Sequence, residues 1–348
     1  MKRLFTLLAI VAAAGLTFSC GGNATKKNDG AVKKADAPER QGYEYDDPAL
    51  YGDVESVIRR EYVVEEKFGE VVKGEMDESL TYRFNKRGDV IEKADYNSDG
   101  SLDDMNLYKY DSAGNMIEFT EYDFDGSLDV KFRYKYDSAG NMIEVATYFY
   151  GRLAEKLLHK YDSAGNKIEE ARYNSDGSLS WKELYKYDSA GNMIEWAKHN
   201  SDGSLDWKNL YKYDSAGNMI EDAFYNSDGS LSEKELYKYD SAGNKIEEAE
   251  YNSDGSLNGK TIYKYDSAGN MIEDAFYKSD ESPYWKKLYK YDSAGNKIEE
   301  VHYNSDGSLD WKHLYKYDSA GNVVKETRYK GDTKTPRTLI EYEIVYRE

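Results

Sequence analysis

The segment Tyr-Asp-Ser-Ala-Gly-Asn occurs nine times without change, beginning at Tyr110, Tyr136, Tyr161, Tyr187, Tyr213, Tyr239, Tyr265, Tyr291 and Tyr317. Successive copies lie 26 residues apart, except for one step of 25. A degenerate tenth copy, Phe84-Asn85-Lys86-Arg87-Gly88-Asp89, stands one period earlier. A chain built this way folds as a quasi-one-dimensional array of one small unit, not as a globule around one pocket.

One unit reads as two strands and two turns. Leu179 to Tyr187 carries aromatic residues at nearly every second position, the period of a strand. Asp188-Ser189-Ala190-Gly191-Asn192 has Asp at its start and Gly at the left-handed position, which suits a type I turn followed by a G1 bulge. Met193 to His199 returns, and Asn200-Ser201-Asp202-Gly203-Ser204 turns again in the same way. With three-residue loops, Tyr187 faces Met193, Tyr185 faces Glu195 and Glu183 faces Ala197. Across the second turn, Tyr173 faces Leu179 and Ala171 faces Trp181. That register gathers the tyrosines, the alanines and Leu179 on one face, and Leu184, Ile194, Lys182 and Lys186 on the other.

Ten such units give about twenty antiparallel strands, and open sheets rarely exceed ~10 without curling or splitting. The expected fold is therefore all-β: tandem antiparallel hairpins in a long curved or coiled meander sheet, with the tyrosine-rich face inward. A long flat single-layer sheet, wet on both faces, is the alternative. Interleaved Lys and Glu on the strands act against edge-to-edge aggregation. The expected boundaries are a signal peptide over 1–19, a lipidated Cys and flexible tether over 20–42, an N-terminal capping β segment over 43–83, the repeat array over 84–330, and a capping strand over 331–348.

The N-terminus sets the address. Lys2 and Arg3 precede an apolar stretch from Leu4 to Gly15, too short for a stable membrane span. Leu16-Thr17-Phe18-Ser19-Cys20 follows, and Cys20 is the only cysteine. The segment resembles a lipobox, with Phe18 in place of the usual small residue, so Cys20 is the expected lipidation site. Stable anchoring needs more than one acyl chain, which the lipids usual in lipoproteins supply. A lone cysteine also means that an exported fold must hold itself by packing and strand pairing.

The formal net charge of −19 repels nucleic acid and anionic headgroups. Acidity does not imply disorder here, because disordered acidic chains are poor in aromatics and this one has 35 tyrosines.

Candidate sites lie where the copies disagree. The slot of Trp181 holds Asp104, Val130, Glu155, Trp181, Trp207, Glu233, Gly259, Trp285 and Trp311. A slot this tolerant is not expected to be tightly packed core. Trp181, Trp207, Trp285 and Trp311 are therefore candidate ligand-binding platforms, either a ladder for a repeating ligand such as a glycan or local packing for neighbouring tyrosines. Trp196 occupies another variable slot, shared with Glu170 and Asp222, and is expected to be exposed and isolated. Asp95 to Leu102 matches the first half of an EF-hand loop, but position twelve is Asn106 and other copies lose the first ligand. Ordinary turn chemistry accounts for Asn-Ser-Asp-Gly. The histidines, His159, His199, His302 and His313, sit at different places in their units, with no triad, metal cluster or phosphate loop among them. No catalytic residue, metal or cofactor is expected.

The repeated Tyr-Asp-x-x-Gly-Asn-x-Ile, followed by a second Tyr-containing strand, resembles the YD, or Rhs-type, repeat over residues 84–330. The resemblance implies hairpins that wind into shells; large members encapsulate a C-terminal toxin or act in cell-surface adhesion. The unit here is longer than the usual YD unit, and the chain ends at Glu348 without a further domain to encapsulate. The whole resembles small YD-repeat lipoproteins of Gram-negative bacteria. That implies an outer-membrane lipoprotein at the cell surface or periplasmic face, held to the membrane by its N-terminal lipid. The expected function is a non-enzymatic binding or adhesion surface for a glycan or cell-surface protein. The alternative is a structural spacer without a specific ligand.

Overall fold

A computed structural model describes residues 48–68, 70–331 and 334–348. The signal peptide, Cys20, the tether and residues 43–47 of the capping segment lie outside the described residues. Twenty-two antiparallel strands form one sheet, with no helix among the described residues. Each strand pairs with its neighbours in sequence. The first, β1 (Val54–Lys67), pairs with the last, β22 (Thr338–Tyr346), from Val54↔Tyr346 to Val63↔Thr338. The sheet is therefore a closed β-barrel. Neither the open coil nor the flat sheet expected from strand number survives: the two end segments pair with each other, which removes both edges.

The turns follow their residues. Within Asp188–Asn192 the Gly191 amide donates to the Asp188 carbonyl at 3.1 Å and Gly191 takes a φ of +87°. The Asp188 carboxylate accepts from the amides of Ala190 and Asn192 and from the Asn192 side chain. These bonds favour its charged form and hold its pKa below the usual range. The second turn repeats the geometry, with Asp202 accepting from the amide and hydroxyl of Ser204. The single 25-residue step coincides with a tighter hairpin. Phe149 pairs with Arg152, and Tyr150 and Gly151 both have positive φ, as a two-residue type I′ turn requires.

The register departs from expectation by one residue beside each turn of the repeat array. In β10 (Leu179–Tyr187) and β11 (Met193–Asn200), Tyr187 does face Met193, but a bulge follows. Tyr185 then faces Trp196, Leu184 faces Ala197 and Glu183 faces Lys198. Across the second turn Leu179 faces Tyr173, after which Trp181 faces Arg172 and Lys182 faces Ala171. The slip moves the alanines and the second tyrosine to the face of Leu184 and Lys182. Tyr185, Trp196, Glu183 and Trp181 share the other face.

That second face is the concave one. Side chains from β2 (Glu70–Phe84) and β3 (Val90–Asn97) meet those of β20 (Leu309–Tyr317) and β21 (Val323–Lys330) around one cavity. The convex face carries a Lys–Glu pair in eight successive units, from Lys109–Glu118 to Lys290–Glu299, at 2.6–3.0 Å. Barrels of about eight strands can be filled by side chains. Twenty-two strands at roughly 4.8 Å spacing enclose a perimeter on the order of 100 Å. Substantial contacts run only between ring neighbours, so opposite walls do not form a second packed layer. Instead, apolar clusters form along the wall: one around Leu50, Val57, Leu80 and Tyr82, another around Phe119, Val130, Phe132 and Val145.

Units are joined by the tyrosine that opens each motif. The ladder between β11 and β12 (Leu205–Tyr213) stops at Glu195↔Leu210, leaving Met193 beyond its end. The Tyr213 hydroxyl donates to the Met193 carbonyl at 2.8 Å. All nine motif tyrosines do the same to the preceding unit, at 2.5–2.8 Å.

Tyr213→Phe should lower stability by about 1 kcal/mol, the net worth of one such hydrogen bond, read as a lower urea midpoint. Glu281 holds the glycine position of its turn at a φ of +64°. Glu281→Gly should raise stability by roughly 1 kcal/mol by relieving left-handed strain, even though it gives up an exposed ion pair with Lys260.

Candidate functional site: the concave wall and the seam cavity

The concave wall is built in rows, each taking the same slot from successive units. The five tryptophans lie on it and are half-buried. They do not form one ladder. Lys198 places its ammonium 5.4 Å from the ring of Trp181, a cation–π contact, and pairs with Trp207 across the ladder. Trp207 meets Trp196 edge to face at 4.8 Å, and Trp196 in turn stacks on Tyr185 at 6.1 Å. Trp196 is thus the link in this group, not the isolated ring expected. Its indole N–H donates to Glu183, which also accepts from the Tyr185 hydroxyl.

A longer run crosses the end of the array. Phe276 stacks on Trp285, which faces His302. His302 stacks on Trp311 at 5.3 Å, Trp311 meets His313 at 4.5 Å, and His313 leads to Tyr315. The sequence placed His302 and His313 at unrelated points of their units. The slipped register puts both between or beside tryptophans. The Trp slot is also less permissive than its variability implied. Val130 is 1% exposed, and at Gly259 an added Cβ would lie 2.3 Å from the Phe276 ring. Phe276 thus occupies the space a larger residue would need.

This run ends at a cavity of about 830 Å³ where the barrel closes. Tyr315, His313, Glu326 and Arg328 line one side; Arg59, Glu78, Leu80 and Lys93 line the other, with Tyr342 of the last strand between them. Pro48, Ala49 and Tyr51 line it at the rim of the Tyr-Asp-Ser-Ala-Gly-Asn turns. Their place is fixed by fully buried Asn322, which exchanges hydrogen bonds with the Tyr51 backbone and donates to the Tyr346 hydroxyl. Charges here are paired. Arg59 bonds Glu61 and Glu78. Buried Glu326 accepts from Arg328 at 2.7 Å and lies 3.0 Å from His313. Burial would raise its pKa, but His313 and Arg328 outweigh that and hold it below the usual range. Most of these residues stand in the off-period ends or replace consensus residues, and that departure was their only mark in the sequence.

Elsewhere the wall is acidic. Glu121 sits among Asp104, Asp129 and Asp123, and burial together with their charge pushes its pKa up to about 7. Among the described residues no group of three or more His, Cys, Asp or Glu is placed to hold a metal ion.

No protein-family model matches the chain. No curated protein sequence matches it either. Among solved structures the chain is similar to TcdB2-TccC3, with a TM-score of 0.42 and 15% identity over 83% of this chain and 20% of that one. It spans about a fifth of the length of that chain. A porin-like protein from Bacteroides uniformis ATCC 8492 overlaps 85% of this chain and 99% of its own, at 9% identity and a TM-score of 0.31. Neither likeness bears on function.

The Glu121 environment sets a pH dependence. Its folded pKa stands above the ordinary glutamate range, so the folded state binds the proton more tightly. Its contribution is favourable at low pH and is lost as pH rises through about 7. The urea midpoint of the wild type should fall between pH 5 and pH 8, and Glu121→Gln should fall less. Equal falls would place the titration elsewhere.

Proposed function

We propose that the protein is a lipid-anchored cell-envelope binding protein of the YD-repeat lipoprotein type, with a glycan as its partner. The aromatic run from Phe276 to Tyr315 carries the proposal. Aromatic rings offer apolar faces to the C–H faces of sugars, while the carboxylates, guanidinium groups and phenols beside them can take hydroxyl groups. Lipidation at Cys20 would hold the barrel at the outer membrane, at the cell surface or on the periplasmic face. The charged convex wall favours water over lipid, since a cation at the bilayer midplane costs a membrane barrel ~2–4 kcal/mol.

A spacer without a ligand is the second reading. It is favoured by the contacts of Trp196 and Trp207 with each other and with Tyr185 and Phe224, which engage part of their ring surface. Glycan-array binding separates the two. With Trp181, Trp207, Trp285 and Trp311 all changed to Ala, binding by the wild type should disappear. Binding that survives unchanged would exclude these rings as the platform. Labelled palmitate should enter the wild type and not Cys20→Ala; label retained in the variant would refute the anchor.

A further inference from the structure

We infer that the seam cavity is the terminal subsite of this surface and takes the end of an uncharged oligosaccharide; this deepens the glycan reading above and rests on it. Three observations meet at this place. The first is continuity: His313 and Tyr315 are the last rings of the aromatic run and also line the cavity. The run crosses the strands from Phe276 to Trp311 and then turns along the last of them, through His313 to Tyr315, so a chain following the rings is led into the cavity.

The second is size and lining. About 830 Å³ is within the usual range for small-molecule pockets, and it has room for several pyranose rings. Tyrosine rings from separate segments, Tyr51, Tyr315 and Tyr342, border it together with planar carboxylate and guanidinium groups. Such groups engage neighbouring hydroxyls in pairs, and the rings cover the C–H faces between them.

The third is charge, which sets the ligand class. Each cation lining the cavity has a carboxylate near it: Arg59 has Glu78, Arg328 and His313 share Glu326, Lys297 has Glu300 at 2.6 Å, and Lys93 has Asp95 at 3.9 Å. An anionic sugar would compete with these carboxylates for their cations, and a cationic one would compete for the carboxylates. A neutral polyol needs only hydrogen bonds, which paired charges still offer through their remaining lone pairs and N–H groups.

The test uses calorimetric titration of the folded chain with three hexasaccharides, made of glucose, galacturonate or glucosamine. Ala49→Trp narrows the cavity from an exposed rim position and leaves the strands alone. Tyr342→Leu removes a phenol from its wall and keeps an apolar side chain there. The glucose hexamer should bind most tightly, and each variant should weaken it about tenfold, ~1.4 kcal/mol in binding. Unchanged affinity in Ala49→Trp, with loss in the Trp285→Ala, Trp311→Ala double variant, overturns the cavity subsite and leaves the aromatic surface standing. Preference for either charged hexamer overturns the assignment to neutral sugar. Failure of the wild type to bind any of the three overturns the subsite and the glycan reading together.

Discussion

The curvature that closes this barrel rests on a surplus residue beside each turn of the repeat array. A bulge bends its strand and increases local twist, and here the same bend is applied at hairpin after hairpin. It also shortens the pairing between units at one rim, so that a carbonyl such as that of Met193 falls beyond the ladder. The motif tyrosine of the next unit reaches that carbonyl. Bulge, truncated ladder and phenolic hydrogen bond are therefore one device: the first creates curvature, the second is its cost in strand pairing, and the third offsets part of that cost.

The turns were legible because their chemistry is local. Asp188 and Asn200 start them, and Gly191 and Gly203 supply positive φ. The slip was not legible. Ile194 and Glu195 carry no residue-type signature of a bulge, and a one-residue change exchanges the faces of every side chain beyond it. Ala197 was thus expected beside the tyrosines and lies beside Leu184. Closure was hidden for a different reason. It depends on the bend summed around the ring and on β1 and β22, which stand outside the repeat and meet across almost the full length of the sequence.

The candidate site shows the same division. Variation in the Trp181 slot pointed to the right surface, but the rings that connect it, Phe276 and His302, come from another slot. That slot faces Trp285 and Trp311 only in the slipped register. The seam cavity could not be read at all before the ends were known to meet. The repeated residues build the ring and its charged outer wall, while the residues that differ between copies face the bore. Frame and surface can therefore change independently.

Each unit contributes two strands, and an antiparallel ring closes only on an even number. Duplication or loss of a whole unit conserves that parity, so β1 could still meet an antiparallel partner, whereas a change of half a unit would force a parallel pair at the seam. The perimeter of such a barrel is thus adjustable in steps of two strand spacings, roughly 10 Å each. The shorter turn at Tyr150-Gly151 shows how much deviation a step tolerates: its tip has one residue fewer, and the pairing on both sides continues. Bore width in this architecture is a copy number, open to change by recombination between identical motifs without redesign of any strand.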